Sequence, residues 1–381
     1  MRKMSKALSL ALAGSMILAA PISVFAEATD LPRNETLYFA GQQWGAVNSQ
    51  SPIGTNQNNA MAIAGGIGGY RTIEFETLYM YNFMDGSMTG LLADGDYAWN
   101  DDMTELTVKI KDAAKWSDGS DLTADDVVAT WEVGVKLGNG TGTGYGAYIE
   151  GMEAADAKTL VIKSKLNADG APVNPLKVLD FTVATPIAQK AWIEAVVERN
   201  NDDNISILND AGEDVVWSGP YHMMYSDDQK VVFERDDNYW GQDESMWGSL
   251  PVPKYLAHVI YADNAAGETA LKAGEVDVCQ QFIGNIQDMW LNEDLPISTY
   301  YEEAPYGVCL TMPTAWYNMN IPVLAENPAL RKAIAMAVDY EGIIANAMTN
   351  QSPTFEAVPR SLTNPTEGEQ ALYNHDAVAD L

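Results

Sequence analysis

The stretch Lys115-Trp-Ser-Asp-Gly-Ser-Asp-Leu-Thr-Ala-Asp-Asp-Val-Val128 decides how this chain is read. Within it, Thr123-Ala-Asp-Asp126 has the pattern of a capping box. The threonine hydroxyl can accept an amide hydrogen bond, and two carboxylates oppose the helix dipole. The helix that follows is expected to bury Val127, Val128, Trp131 and Val135 on one stripe. Asp125 and Asp126 therefore read as structural rather than catalytic. Just upstream, Leu106, Val108 and Ile110 alternate with Thr107 and Lys109, the period of a strand buried on one face. A strand leading into a capped helix is the unit of an α/β fold.

The same alternation extends outward. Thr36 to Ala40 reads as a short buried strand, followed by a loop at Gly41-Gln-Gln-Trp-Gly45. A second region runs from about residue 66 to 185. Its Lys136 to Gly146 segment (KLGNGTGTGYG) lacks the lysine and register of a phosphate cradle and reads as a flexible excursion anchored by Tyr145 and Tyr148. Beyond it come a strand at Thr159 to Lys163, a helix from about Pro186 to Glu198, and an acidic loop from Asn200 to Asp214 without an EF-hand pattern. Lys230 to Arg235 alternates as a strand, and Ala265 to Ala273 suits a helix ending at Gly274. Asn327-Pro328 supplies a cap and a first-turn proline for a helix expected to turn Leu330, Ile334 and Val338 inward.

At 381 residues the chain exceeds what one core usually supports, and 47% hydrophobic with 20% charged residues is ordinary globular composition. Two lobes are expected. The first 28 residues read as a removed export signal: Arg2, Lys3 and Lys6, an apolar run from Ala7 to Ala20, then small residues around Ala26 and Ala28. Ser15 follows Leu12-Ala13-Gly14 where a lipoprotein box needs cysteine, so lipid anchoring is not supported. The formal charge of −31 repels phosphate backbones and anionic lipid, which argues against nucleic-acid partners. Two cysteines, Cys279 and Cys309, are no disulfide framework, and whether they pair is left open. The three histidines, His222, His258 and His375, sit in no zinc-like spacing, and no P-loop, G-x-S-x-G or C-x-x-C occurs. No cofactor or metal is implied. A pair of hydrolytic carboxylates is not excluded among 53 acidic residues, so a secreted glycan or peptide hydrolase stays open as the reading from another class.

Four collinear segments resemble the extracellular solute-binding proteins of family 5, typified by oligopeptide- and dipeptide-binding proteins of ABC transporters. They are Leu92-Ala93 with Trp99 through Lys115-Trp-Ser-Asp-Gly119 to Val128; Gly219-Pro-Tyr221 with Arg235-Asp-Asp-Asn-Tyr-Trp240; Ala270-Leu-Lys-Ala-Gly-Glu-Val-Asp277; and Leu330-Arg-Lys-Ala-Ile334 through Asp339 to Ile343. The resemblance implies an α/β, two-lobed periplasmic-binding-protein-like (type II) fold with a subdomain inserted in the first lobe. Mapped here, residues 29–297 are lobe 1, with the insertion at about 66–185, and residues 298–381 are the start of a truncated, incomplete lobe 2. Trp217 stands where the family often has glycine, which leaves the local turn in doubt.

By the same resemblance the protein is a non-enzymatic, monomeric, exported component of an importer, periplasmic or extracellular, whose partners are a small organic ligand and ABC permease subunits. Ligand contacts would come from Gln42, Gln43 and Trp44, from Tyr145 and Tyr148, and from Tyr306, Trp316 and Tyr317. Trp116 and Trp240 are assigned to structure. A peptide is the first expectation for the ligand. A β-linked oligosaccharide is the alternative, since Glu76-Thr-Leu-Tyr-Met-Tyr-Asn82 looks more like that branch; nickel or opine ligands, and a sensory role without import, follow. With half of the cleft walls missing, this chain is expected to bind weakly or not at all.

Overall fold

The computed structural model describes residues 31–41, 47, 49–54, 73–82, 87–279, parts of 282–306, and 316–351. The expected export signal, Cys309 and His375 lie outside the described residues. In chain order the strands are β1 (Thr36–Gly41), β2 (Tyr79–Tyr81), β3 (Met88–Gly90), β4 (Ala98–Trp99), β5 (Glu105–Lys109), β6 (Ile149–Asp156), β7 (Thr159–Ser164), β8 (Tyr221–Ser226), β9 (Lys230–Arg235), β10 (Tyr255–Ile260) and β11 (Val278–Cys279). The helices are α1 (Ala124–Leu137), α2 (Gly140–Tyr145), α3 (Pro175–Ala184), α4 (Lys190–Arg199), α5 (Asn204–Leu208), α6 (Asn264–Lys272), α7 (Pro322–Ala325), α8 (Pro328–Met336) and α9 (Tyr340–Asn346).

Two larger sheets and a β2-β3 antiparallel pair organise these elements. A mixed five-stranded sheet has the order β11-β1-β10-β9-β8, with β1 parallel to both β10 and β11. A four-stranded antiparallel sheet, β4-β5-β7-β6, carries the inserted layer. In β5 the burial alternates as the sequence period requires, with Leu106 and Val108 inward and Thr107 and Lys109 outward or half-covered.

Helix α1 packs on that sheet and begins as its cap predicts. The carboxylate of Asp126 accepts the backbone N–H of Thr123 at 2.8 Å, closing the capping box. The helix differs from the expected stripe at Val135, which is half exposed. Positions 127, 131 and 135 drift by about 40° per step around a 3.6-residue helix, and α1 lies between two cores. Val127 and Trp131 enter the core of the inserted sheet, whereas Val133 and Leu137 enter a second core with Trp192, Ile193, Val196, Ile207 and Val215. The packing of the inserted layer thus continues beyond residue 185, through α4 and α5, to Val215.

Three further expectations are corrected. The glycine-rich stretch is not a free excursion: Asn139 caps α2 by accepting the amides of Thr141 and Gly142, and its own amide donates to the Ile53 carbonyl. The glycines let α2 lie against α1, because a Cβ on Gly142 would stand 2.2 Å from the Gly134 carbonyl oxygen. The helix expected from Pro186 starts only at Lys190. Residues 186–189 stay extended because Ile187 donates its amide to the Glu76 carbonyl and Ala188 donates its own to the Thr130 hydroxyl. Finally, Leu330, Ile334 and Val338 do not face inward; all three are exposed, and α7, α8 and α9 bury no residue, since no described element covers them.

The acidic Asn200–Asp214 stretch is held by a cation of the chain itself. Arg199 reaches Asp210 at 2.5 Å and also pairs with Asp214. The hydrogen bonds from Arg199 hold the Asp210 carboxyl down to about 2, against partial burial that pushes it up, with Asn200 and the Gly212 amide assisting. A depressed folded-state value makes this contribution complete above the ordinary carboxylate range and lost as pH falls through about 2. Arg199→Met is expected to cost on the order of 1–2 kcal/mol at pH 7, after allowing for solvent screening. It should also shrink the loss of stability between about pH 4 and 2, as read by urea unfolding across that range. An unchanged acid limb would show that the clamp does not hold the loop.

Candidate functional site

In α/β sheets, ligands gather at the carboxyl ends of parallel strands. Here that edge is formed by the ends of β1, β10 and β11: Gly41 lies opposite Ile260, and Ala40 opposite Cys279. The start of β9 meets the same edge, Lys230 lying opposite Val259. α6 begins just past β10, capped by Asp263, which accepts the Ala266 amide at 2.8 Å, and it ends at Gly274 in the left-handed region as its sequence predicts.

Beside β11 lies a small apolar cluster of Ile283, Ile286, Met289 and Tyr306, flanked by Trp290, Leu271 and Cys279. Tyr306 is buried edge-on to Trp290 (ring centroids 6.4 Å apart) and holds a φ of 66°, which non-glycine residues rarely adopt. Gln351, at the end of the described chain, donates to the Ile283 carbonyl at 2.7 Å and ties the α9 end to this cluster.

The residues expected to contact ligand fall in separate places. Gln42, Gln43 and Trp44 directly follow β1 but lie outside the described residues. Tyr145 is buried in the inserted core, edge-on to Phe181, with its hydroxyl donating to Asp180 at 3.1 Å; Tyr148 is half-buried against the same core. Tyr306 belongs to the cluster beside β11. Trp316 is 89% exposed, and Tyr317 donates its hydroxyl to the Arg331 carbonyl at 2.9 Å. Tyr145 and Tyr306 thus sit in two different cores. Trp116 and Trp240 are buried, as their structural assignment requires.

The Lys115–Val128 stretch borders a shallow depression of about 290 Å³ lined by Ser120, Thr123, Asp125, Gln189 and Lys190 among others. Its polar groups are consumed by one another. Gln189 donates to Asp118 and Ser120, Ser120 donates to Asp118, and Trp116 and the Lys190 amide both donate to Asp126. Partial burial pushes Asp118 up, but the bonds from Ser120 and Gln189 outweigh it and hold the carboxyl below its usual range. The signature is a lock between α1 and α4.

Spacing alone does not disclose two buried acids. Glu74 and Glu76 are 1% and 2% exposed, and burial raises both carboxyls to about 8, against hydrogen bonds that lower them. Their signal was present in Ile73-Glu-Phe-Glu-Thr-Leu78, where two carboxylates interrupt an apolar run. Among the described residues no group of three or more His, Cys, Asp or Glu is placed to hold a metal ion, and no helix is long and apolar enough to cross a membrane.

The mixed sheet and the inserted layer make an α/β fold of the type II periplasmic-binding-protein class. The model of the bacterial extracellular solute-binding proteins, family 5, middle region, matches residues 87–379, and the chain belongs to that family. It is 29% identical over 262 residues to a probable peptide-binding protein of Agrobacterium fabrum, covering 66% of this chain and 40% of the relative. It is 25% identical over 295 residues to an oligopeptide-binding protein of Bacillus subtilis, covering 71% and 49%. Among solved structures, the mannohexaose-bound periplasmic oligopeptide-binding protein of an ABC transporter from Thermotoga maritima superposes with a TM-score of 0.68 at 27% identity, covering 84% of this chain and 55% of that one. The chain spans about half the length of these relatives.

Proposed function

We propose that the chain is the ligand-capturing component of an ABC importer, exported from the cytoplasm, and that residues 29–297 form the first lobe of its cleft while residues 298–381 enter the second. The observation that carries this reading is the family match running from β3 through the inserted sheet, β8 to β11 and on past α9. The exposed apolar stripe Leu330, Ile334 and Val338 supports it, because such a stripe is the inner face of a lobe that other residues cover. A peptide is the ligand the relatives' names favour. A guest between two lobes stabilises the closed arrangement by its differential affinity, and no bond is made or broken. An oligosaccharide is the second reading, favoured by the mannohexaose seated in the Thermotoga maritima structure.

Because one lobe alone supplies only part of the contacts, the 381-residue chain is expected to bind weakly, with affinity in the millimolar range rather than the micromolar. A thermal-shift panel of di- to pentapeptides and of mannohexaose, each at millimolar concentration, tests this. Peptides should raise Tm and mannohexaose should not. The reverse pattern favours the second reading, and if neither class shifts this chain, the same panel on the chain extended to its relatives' length decides, where no shift with either class argues against both. Micromolar binding by this chain contradicts the division into lobes.

A further inference from the structure

The segment Ile73–Leu78 is a strap that joins the two sheets. On one side the Ile73 carbonyl accepts the Tyr221 amide, and the Glu74 carbonyl accepts the amides of Ser218 and Gly219. On the other the Glu76 carbonyl accepts the Ile187 amide, while the Thr77 and Leu78 carbonyls accept amides of Leu91, Leu92 and Ala93 in the inserted layer. The strap's two acidic side chains turn into the protein. Glu74 accepts the Met223 amide at 2.7 Å on one oxygen, and its other oxygen, fully enclosed, has no hydrogen-bond partner. Glu76 accepts from the Tyr239 hydroxyl and, at 2.9 Å, from the Trp240 indole. Neither carboxylate makes an ion pair among the described residues.

We propose that Glu74 is a protonated acid that locks the strap to β8, and that its ionisation on the alkaline side loosens the seam between the five-stranded sheet and the inserted layer. An isolated carboxylate in an enclosed site is far costlier than the neutral acid, and one backbone donor does not compensate. Glu76 on the same strap is raised to about 8 as well, but its carboxylate keeps the Tyr239 and Trp240 donors when it ionises; the remaining groups at the seam titrate elsewhere or face elsewhere. Lys111 faces Glu76 and Asp94, and its ammonium is spent on the carbonyls of Gly90, Leu91 and Ala93. Burial raises Tyr239 far above the neutral range. His222, on β8 next to Met223, is lowered by burial although Glu234 and Asp236 raise it, so it changes charge on the acid side. For Glu74 itself, burial raises the carboxyl to about 8. From the ordinary carboxylate value up to about 8 the folded form therefore holds one more proton than the unfolded, and stability declines across that interval.

The test is Tm of the full chain from pH 5 to 9, in the wild type, Glu74→Gln and Glu74→Met, joined to hydrogen exchange at pH 6 and 9 corrected for intrinsic rates. The wild type should lose roughly 5–10 °C across this range, and Glu74→Gln about half of that, the remainder belonging to Glu76. Alkaline loss of protection should be confined to residues 73–78 and 218–223, with β5 and β7 unaffected. Glu74→Met gives the same comparison if the glutamine variant does not fold. Parallel decline in wild type and variant, or protection lost evenly over both sheets, overturns the proposal.

Discussion

Asp126→Ala is expected to lower the stability of the chain by about 3 kcal/mol, the largest effect of any surface-adjacent polar residue in the inserted layer. One buried carboxylate receives the Thr123 amide at 2.8 Å, the Lys190 amide at 2.8 Å and the Trp116 indole at 3.2 Å. Its removal strands these three donors at once, two of them backbone groups, and the Thr123 hydroxyl loses the same partner. Each buried unsatisfied group costs about 1–3 kcal/mol, and the neighbouring depression admits water to some of them, which keeps the sum near the lower end. Asp125 is the control. It is mostly exposed and only 3.6 Å from Lys190, so Asp125→Ala should change stability by less than about 1 kcal/mol. Urea midpoints of the two variants decide the matter, and equal effects would mean that the Trp116–Asp126 lock contributes nothing beyond surface charge.

Gly219→Ala should be comparably damaging, at about 3 kcal/mol, for a steric reason. A Cβ there would lie 2.3 Å from the Ile73 oxygen and 2.6 Å from its carbonyl carbon. These are backbone atoms of the strap and cannot rotate aside, and the Gly219 amide is itself bonded to the Glu74 carbonyl at 2.8 Å. Pro220 follows and restricts Gly219 further. In contrast, Gly151→Ala meets nothing within 4 Å and should stay within about 0.5 kcal/mol of the wild type. Thermal unfolding of both variants is the check; a wild-type-like Gly219→Ala would show that strap and β8 are not held in contact.

Local signals made much of the fold legible. The alternation of β5, the capping pattern of α1 and the glycine after α6 each depend on near neighbours, and all three appear as the sequence predicts. What was not legible depended on neighbours far along the chain. The break before α4 is set by the hydroxyl of Thr130 and the carbonyl of Glu76, dozens of residues away. Val135 points outward because α1 serves two cores, which its own periodicity does not reveal. At Gly142 composition shows flexibility and not the close helix contact that needs the glycine. The candidate ligand residues come from resemblance alone, and those described lie in separate places. Spacing does not show that Tyr145 fills a core or that Trp316 stands exposed, because both outcomes suit an aromatic residue equally well.

Trp217 shows how a family departure is accommodated. Its indole stacks on His222 with ring centroids 4.4 Å apart and donates to Asp236 at 3.1 Å, while its backbone exchanges hydrogen bonds with Ser117. The bulky side chain packs on β8, while Ser218 and Gly219 both give their amides to the Glu74 carbonyl.

The central claim is capture without chemistry. Incubating the purified chain with a defined pentapeptide at millimolar concentration, separating the bound fraction and weighing every species by mass spectrometry tests it most directly. The account predicts that the peptide is recovered whole. Shortened products accumulating with time would contradict it.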